Sequence, residues 1–390
     1  MKLPQGVLSS KVGQVCRLNK SLYGLKQASR QWFEKLTTFL QAQGFLHAHA
    51  DHTLFTKTDS SSFTAILVYV DDIILTGTSL SMINFLKKSL DDTFHIKDLG
   101  QLKFFLGLEV ARSSKGISLC QRKYCLELLH DAGLAGCKPV STPLDASSRL
   151  HQDGGSIFSD VTAYRRLVGR LLYLTNTRPD IAFATQQLSQ FMSSPTESHC
   201  KDALRFLRYL KQSPARGIFL SQASDLQLSG FSDADWGGCV DTRRSISGYC
   251  FFIGQSLVSW KAKKHLTVSC SSAEAEYHAL ASATRELQWL CFLLHDLHQH
   301  PSRLPVLYCD SQSALHISIN PVFHGRNKHL DIDCHLVREK LQAGVMRLLP
   351  VYSQDQAADV FTKALGPRPF HSCLSKLGLI NIYQPQACGG

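Results

Sequence analysis

Six acidic residues stand in places where a carboxylate needs a reason to be. Asp71 and Asp72 lie side by side in LVYVDDIILTG, a largely apolar run from Leu67 to Gly77. Burying an unpaired carboxylate is costly, so a strand should not carry two without a purpose. Further along, Asp233 follows a strand-like stretch in FSDADW, and Glu274 opens a long helical pattern in SSAEAEY. Asp310 ends an apolar run in LYCDSQSAL, and Asp359 lies in QDQAADVFTKAL, which reads as a last helix after Ser353. In a mixed sheet, strand ends and adjoining helix starts can converge on one point. Four acids meeting there repel one another unless cations neutralise them, and oxygen ligands without a Cys/His set favour Mg²⁺ or Mn²⁺ over zinc. Two such ions about 4 Å apart can activate a water and stabilise the leaving oxygen of a phosphodiester. Singly, each acid has a plain structural reading as turn former or helix cap, and Asp310 ahead of Ser311 would cap a helix well. The ordered set of four carries the weight.

Elements able to position these acids are legible in the hydrophobic spacing. Residues 21–43 read as a helix through Leu22, Leu25, Trp32, Phe33, Leu36 and Leu40. Residues 63–75 read as two short strands with the aspartate pair at their turn. A helix over 81–90, a hairpin over 103–110 and 117–119, and a helix over 124–132 follow. The stretch CKPVSTPLDASSRLHQDGGS, 137–156, has the Pro, Ser, Gly and Asp content of a linker. Three helices are expected over 164–174, 179–192 and 198–212. Beyond them strands are expected over 226–231, 247–253, 257–260 and 267–270, then a long helix over 273–297. A strand at 306–309, helices at 311–319 and 333–343, and a strand at 345–351 complete the pattern. Strands followed by alternating helix and strand predict a mixed sheet with helices packed on it.

The chain's 390 residues exceed one ordinary core, and its 44% hydrophobic content suits globular protein. The longest apolar run is interrupted by Asp71 and Asp72, so no membrane span is expected. The first residues lack an apolar signal region, which makes a cytoplasmic or nuclear location the expectation. Thirteen scattered cysteines without Cys-x-x-Cys spacing read as reduced thiols. The net charge of +11 suggests a polyanionic partner.

The motifs GFSDADWGG, SISGY, VSWKAKK, SSAEAEYHAL, CDSQSAL, NPVFHGRNKHLDIDCH and QAADVFTKAL, in this order, resemble the ribonuclease H domain of copia-type retrotransposon polyproteins. The resemblance implies a five-stranded mixed sheet with flanking helices and two-metal hydrolysis of the RNA strand of RNA–DNA hybrids. On it, Asp233, Glu274, Asp310 and Asp359 fall on the four acidic, metal-holding positions. Glu276 competes with Glu274, which is preferred because it matches the Glu that opens this helix in related enzymes. Cys239 and Ala273 depart from the family's usual Asp and Thr, at positions outside the implied ligand set. The cluster His329, Asp331, Asp333 and His335 reads as a structural or substrate-facing stretch, with His335 a candidate auxiliary.

Upstream, VCRLNKSLYGLKQASRQWFEKL, GFLHAHADHTLF, LVYVDDIILTG, IKDLGQLKFFLGLEV and KYCLELL resemble the reverse transcriptase of the same polyproteins. YRRLVGRLLYLTNTRPDIAFA and LRFLRYLKQSPARG resemble the segment joining it to ribonuclease H. By this resemblance Tyr-x-Asp-Asp is the polymerase palm hairpin, with Asp71 the essential metal ligand and Asp72 auxiliary. LYGLKQASR, with Ser29 in place of the usual Pro, would line the template and nucleotide pocket. The family's first catalytic aspartate, on a strand upstream of LYGLKQ, has no counterpart here, so nucleotidyl transfer is not expected.

The resulting expectation is an α+β or α/β multidomain chain. Residues 1–140 form a truncated reverse transcriptase, 141–225 a linker and helical connection, 226–366 a ribonuclease H-like domain and 367–390 a tail. Cofactors are Mg²⁺ or Mn²⁺, two ions per site; partners are an RNA–DNA hybrid or RNA, with no membrane. Tyr23, Lys26, Gln27 and Arg30 in the first domain are nucleic-acid-binding candidates, as are Arg243, Arg244, Lys261, Lys263 and Lys264 in the nuclease. Their alternative is a solvated basic face. Trp236 and Trp260 are expected in the core. The rival function is a catalytically silent nucleic-acid-binding protein or a nonfunctional retroelement relic.

Overall fold

The computed structural model describes residues 6, 13–19, 22, 24–59, 62–147, 149–153, 155–320 and 331–383. The chain forms two compact units, Met1–Gly100 with Phe292–His298, and Gln101–Cys291 with Gln299–Gly390.

In the first unit, α1 (Ala28–Ala42) precedes strands β1 (Leu46–His47), β2 (Leu54–Asp59), β3 (Ser62–Tyr69) and β4 (Asp72–Gly77), then α2 (Leu80–Phe94). The strands make an antiparallel sheet in chain order. Leu36 and Leu40 of α1, and Leu86 and Leu90 of α2, sit four residues apart and are fully buried with Phe55 and Ile66 of the sheet. Ser79 starts α2 by accepting the Met82 N–H. The helix expected from residue 21 begins only at Ala28, because Gly24, at φ +86°, lies in a turn.

The second unit holds two five-stranded sheets. One runs β14–β8–β7–β6–β5 and is antiparallel. Its strands are β5 (Phe104–Phe105), β6 (Leu108–Ser113), β7 (Gly116–Cys120), β8 (Arg216–Ser221) and β14 (Ile380–Asn381). Between β7 and β8 lie helices α3 (Arg122–Asp131), α4 (Val161–Leu174), α5 (Ala182–Ser189) and α6 (Glu197–Gln212). Neither β8 nor β14 is apparent in the sequence, being short and lacking clean alternation.

The other sheet is the mixed one expected. Its strands are β9 (Leu228–Asp235), β10 (Ile246–Ile253), β11 (Ser256–Lys264), β12 (Val306–Cys309) and β13 (Arg347–Pro350), ordered β11–β10–β9–β12–β13. β9, β10 and β11 are antiparallel neighbours, while β12 runs parallel to both β9 and β13. β9 is therefore central and hydrogen-bonded on both sides. α7 (Ser272–Asp296), α8 (Gln312–Ile319), α9 (Asp331–Gln342) and α10 (Pro367–Lys376) flank it.

Alternation along β10 assigns the faces. Tyr249 and Phe251 pack with Tyr277, Leu280 and Leu287 of α7 and with Leu315 and Val337. Ile246, Cys250 and Phe252 share a second core with Val168, Leu171, Phe206 and Leu210 of the preceding helices, and with Phe361 and Phe370. Both faces of the sheet are thus covered.

Two further local expectations differ from the structure. Residues 267–270 form no strand; they lead into Ser271, whose hydroxyl accepts the Glu274 N–H at the start of α7. After Ser353 there are two 3₁₀ turns, Ser353–Asp355 and Ala357–Phe361, instead of an α-helix. The twelve cysteines among the described residues are free thiols. Among the described residues, no helix is long and apolar enough to cross a membrane.

A buried ion pair anchors the helical layer. Arg178 and Asp180 are each 1% exposed and joined by two bonds, Nε to Oδ1 at 2.9 Å and Nη2 to Oδ2 at 2.7 Å. Tyr209 donates to Asp180 Oδ2, and Arg178 Nη1 donates to the Ser213 carbonyl. Burial alone would raise the Asp180 pKa, but the Arg178 guanidinium holds it below the usual carboxylate value. Removing one partner strands the other charge away from water. Asp180→Ala is therefore expected to cost about 3–5 kcal/mol, measured by denaturant unfolding. A loss below about 1 kcal/mol, the ceiling of an exposed pair, would show that the network is not structural.

Candidate active site

Asp233 occupies the central strand itself, with two strands on either side, and is 1% exposed. Its β10 partner is Gly248. A Cβ there would lie 2.5 Å from Phe361 Cβ and 2.9 Å from Thr362 Cγ2, so only glycine lets the Ala357–Phe361 turn approach this closely. The approach delivers Thr362, whose hydroxyl donates to Asp233 Oδ2. It also delivers Asp359, whose Oδ1 is 2.8 Å from Lys363 Nζ, while that ammonium is 3.2 Å from Asp233 Oδ2.

Asp310 follows β12, the parallel neighbour of β9. Ser311, not Asp310, caps α8 by accepting the Ala314 N–H. That leaves Asp310 for other contacts. Its Oδ1 accepts from Gln356 Nε2 and its Oδ2 from the Ser353 hydroxyl, each at 3.2 Å. Gln356 Nε2 also reaches the Ser232 carbonyl at 3.0 Å, tying Asp310 to the central strand.

The second acid from α7 is Glu276. Residues two apart on a helix project on nearly opposite sides, so Glu274 and Glu276 cannot both face the strand end. Glu274 turns to its own helix start, where it accepts the Cys270 N–H at 2.9 Å and lies 3.7 Å from His278 Nε2. The Glu274 carboxylate and the Ser271 hydroxyl thus each accept a backbone N–H at the helix start, that of Cys270 and that of Glu274. Glu276 instead offers a ligand atom within 4.8 Å of one on Asp310 and one on Cys309, and its Oε2 is buried with no hydrogen-bond partner. The placement expected for Glu274 therefore falls to Glu276.

The electrostatics follow from this crowding. Burial, then the Asp233 and Asp310 charges, push Glu276 up to about 9. Burial likewise raises Asp233 against the opposing pull of Lys363, with Asp359 and Asp310 adding to the rise. Burial also raises the Cys309 thiol, leaving it a neutral neighbour and a poor ligand. Two hard carboxylates, Glu276 and Asp310, with an orphaned buried oxygen between them fit a divalent cation held through oxygen. Thr362, Lys363 and Gln356 were missed as site residues in the sequence; their only signal was membership of QDQAADVFTKAL.

The remaining candidates are dispersed. Asp71 and Asp72 are exposed at the β3–β4 turn, where Val70 has φ +54°, a strained value for a β-branched residue. Trp32 Nε1 donates to the Val70 carbonyl at 2.8 Å. Among the described residues, no group of three His, Cys or acidic ligands forms around this pair. Tyr23 and His329 lie outside the described residues. Lys26 and Gln27 are exposed, and Arg30 is exposed and paired with Glu34 at 3.0 Å. Arg243, Lys261 and Lys263 are exposed and Arg244 is half-buried, whereas Lys264 donates to Gln190 Oε1 at 2.5 Å. Lys261 and Lys263 share a face of β11 opposite to that of Lys264. Trp260 is half-buried and bonds the Thr175 carbonyl. Trp236, expected in the core, is 50% exposed, because it lies past the end of β9 and its Nε1 donates to the Ser269 carbonyl. Asp333 binds His278 at 2.7 Å and pairs with Arg285, a structural role, and exposed His335 faces Glu339 at 3.8 Å.

The Glu276 proton is testable by pH. Its folded pKa of about 9 exceeds the ordinary 4.5, so between those values the folded protein keeps a proton that the unfolded chain releases. Stability must fall as pH rises through that window. In EDTA, the melting temperature of Glu276→Gln is expected to fall less steeply over this range than that of the unsubstituted protein. Equal slopes would contradict the placement.

Residues 1–146 match the family described as reverse transcriptase (RNA-dependent DNA polymerase). The chain is 42% identical to the retrovirus-related Pol polyprotein from transposon RE2 of Arabidopsis thaliana, over 96% of this chain and 26% of that protein. It is 35% identical to the corresponding polyprotein from transposon TNT 1-94 of Nicotiana tabacum, over 97% of this chain and 29% of the other. A putative transposon Ty5-1 protein of Saccharomyces cerevisiae is 32% identical over 74% of this chain and 94% of its own length. The chain thus spans about a quarter of the length of the Pol polyproteins it matches, at 26% and 29%. With identity of this level running through both units, the chain belongs to the copia-type retrotransposon Pol polyprotein family.

Proposed function

We propose that the chain hydrolyses the RNA strand of RNA–DNA hybrids at the cluster of Asp233, Glu276, Asp310 and Asp359. The observation that carries this reading is that Glu276 and Asp310 offer oxygens within ligand reach of one another, with Glu276 Oε2 buried and unpartnered, while Asp233, whose charge acts on Glu276, shares the Lys363 ammonium with Asp359. Two divalent cations, Mg²⁺ or Mn²⁺, would supply the charge that activates water and stabilises the leaving oxygen. Asp233 offers its carboxylate from the rigid centre of the sheet. Gln356 and Ser353 orient Asp310, and the Ala234 N–H beside Glu276 orients that carboxylate. Asp359 arrives on the turn that Gly248 admits. The pairing of β10 with β11 places Ala262 beside Gly248, and Gly248 beside Asp233, so Lys261 and Lys263 lie two strands from the acids. Exposed there, they can hold phosphates of a hybrid, while 2′-hydroxyl contacts would mark its RNA strand. The Asp71–Asp72 hairpin, exposed and without a third ligand among the described residues, supports no nucleotidyl transfer by this stretch.

With a labelled RNA–DNA hybrid and Mg²⁺, the purified protein is expected to cut the RNA strand. Asp233→Asn and Glu276→Gln should each lower the rate by about a hundredfold or more, beyond the usual cost of an outer-shell contact. Glu274→Gln should keep most activity and lose about 1 kcal/mol of stability, as for a weakened helix cap. Binding of the hybrid without cleavage would identify a silent nucleic-acid-binding protein instead. Greater loss from Glu274→Gln than from Glu276→Gln would reverse the assignment. In primer extension on an RNA template no product is expected; extension abolished by Asp71→Asn would refute the reading of the hairpin.

A further inference from the structure

One charged side chain inside the acid cluster is a cation. Lys363 reaches back from the turn after Phe361, with Nζ 2.8 Å from Asp359 Oδ1, 3.2 Å from Asp233 Oδ2 and 3.3 Å from Asp233 Oδ1. Thr362 donates to Asp233 Oδ2 from the adjacent position. Two consecutive residues of one segment therefore engage the most buried acid. Asp310 is held by neutral donors, Ser353 and Gln356, and Glu276 has the Ala234 N–H beside it. The cluster is divided: Asp233 and Asp359 share an ammonium, whereas Asp310 and Glu276 make no ion pair with it among the described residues. The Lys363 side chain is 38% exposed, so its flexible stem can carry the ammonium to water without opening the core. Lysine suits such an exchange better than arginine, being a compact charge with rotatable donors rather than a fixed fork.

We propose that Lys363 is the built-in counter-ion of the Asp233–Asp359 half of the site and competes with a divalent cation for it. A cation entering that half needs the oxygens that Lys363 occupies, and like charges at such separations repel. Binding therefore expels the ammonium to solvent, and Lys363 sets the metal affinity as a positioning residue. The inference rests on the metal reading under Proposed function.

Two measurements test it. In the unsubstituted full chain, reductive methylation of lysines is followed by mass spectrometry in EDTA and in saturating Mn²⁺. Labelling of Lys363 is expected to rise several-fold with Mn²⁺, while exposed Lys261 and Lys263 stay constant. In the second, Lys363→Met is expected to melt lower than the unsubstituted protein in EDTA and to bind Mn²⁺ about tenfold more tightly by calorimetry, within the usual range of coupling between sites. Lys363→Arg should recover the EDTA stability in part. If the unsubstituted protein binds Mn²⁺ but Lys363 labelling does not rise, or Lys363→Met binds no more tightly, the exchange is wrong and the metal site stands. If the unsubstituted protein binds no Mn²⁺, the metal reading falls and the exchange with it. Should Lys363→Met fail to fold, the labelling experiment decides alone.

Discussion

Carboxylates brought together out of water must be paired, protonated or bound to a cation, and this constraint organises the mixed-sheet part of the chain. Asp233 is its focus. It sits on the central strand of a five-stranded sheet, almost wholly buried, and every neighbouring feature answers to its charge. Gly248 removes a side chain from the adjacent strand so that Thr362 and Lys363 can reach it. Burial, and then the charges of Asp233 and Asp310, push the Glu276 pKa well above the usual carboxylate value. Gln356 spans from the Ser232 carbonyl to Asp310 and so couples the two parallel strands that present acids.

Rigidity at this site comes from the covering of both sheet faces. α7 supplies Glu276 and also buries Tyr277, Leu280 and Leu287 against Tyr249 and Phe251, so its rotation about its own axis is decided by packing. The opposite face shares a core with the helices that precede the sheet, and Arg178 with Asp180 and Tyr209 pins that layer from within. Such a pair is poor evidence of net stabilisation, because its desolvation cost is large. Its bidentate geometry nonetheless penalises any other arrangement of the helices, since one that separates the two leaves a bare charge. The segment from 357 to 363 depends on both layers: Phe361 joins the helical core while Asp359 and Lys363 meet the acids.

Much of this was legible in the residues. Sheet composition, the hairpin at Asp71–Asp72, the long helix after residue 271 and the family itself follow from apolar periodicity and ordered motifs. Hydrophobic spacing reports which side of an element is buried, and motifs report which chemistry recurs. Neither reports strands as short as β8 and β14, whose pairing is decided by partners distant in sequence. Trp236 illustrates the same limit, since an indole past a strand end is placed by the loop that accepts its N–H.

The acid site shows the division most sharply. By itself the sequence determined the order and spacing of Asp233, Asp310 and Asp359 and a glutamate pair at the start of the long helix, which the resemblance read as one acidic set. There the resemblance favoured Glu274 over Glu276, since both are glutamates two residues apart in a strong helical pattern and nothing local to them reports which one faces the strand end. Tertiary structure decided it: packing of Tyr277 and Leu280 fixes the helix rotation, turning Glu276 to the strand end and leaving Glu274 to cap the helix. It likewise decided the place of Lys363, since a lysine's reach across 130 residues of chain to Asp233 depends on how the turn packs over Gly248, not on anything local to TKAL.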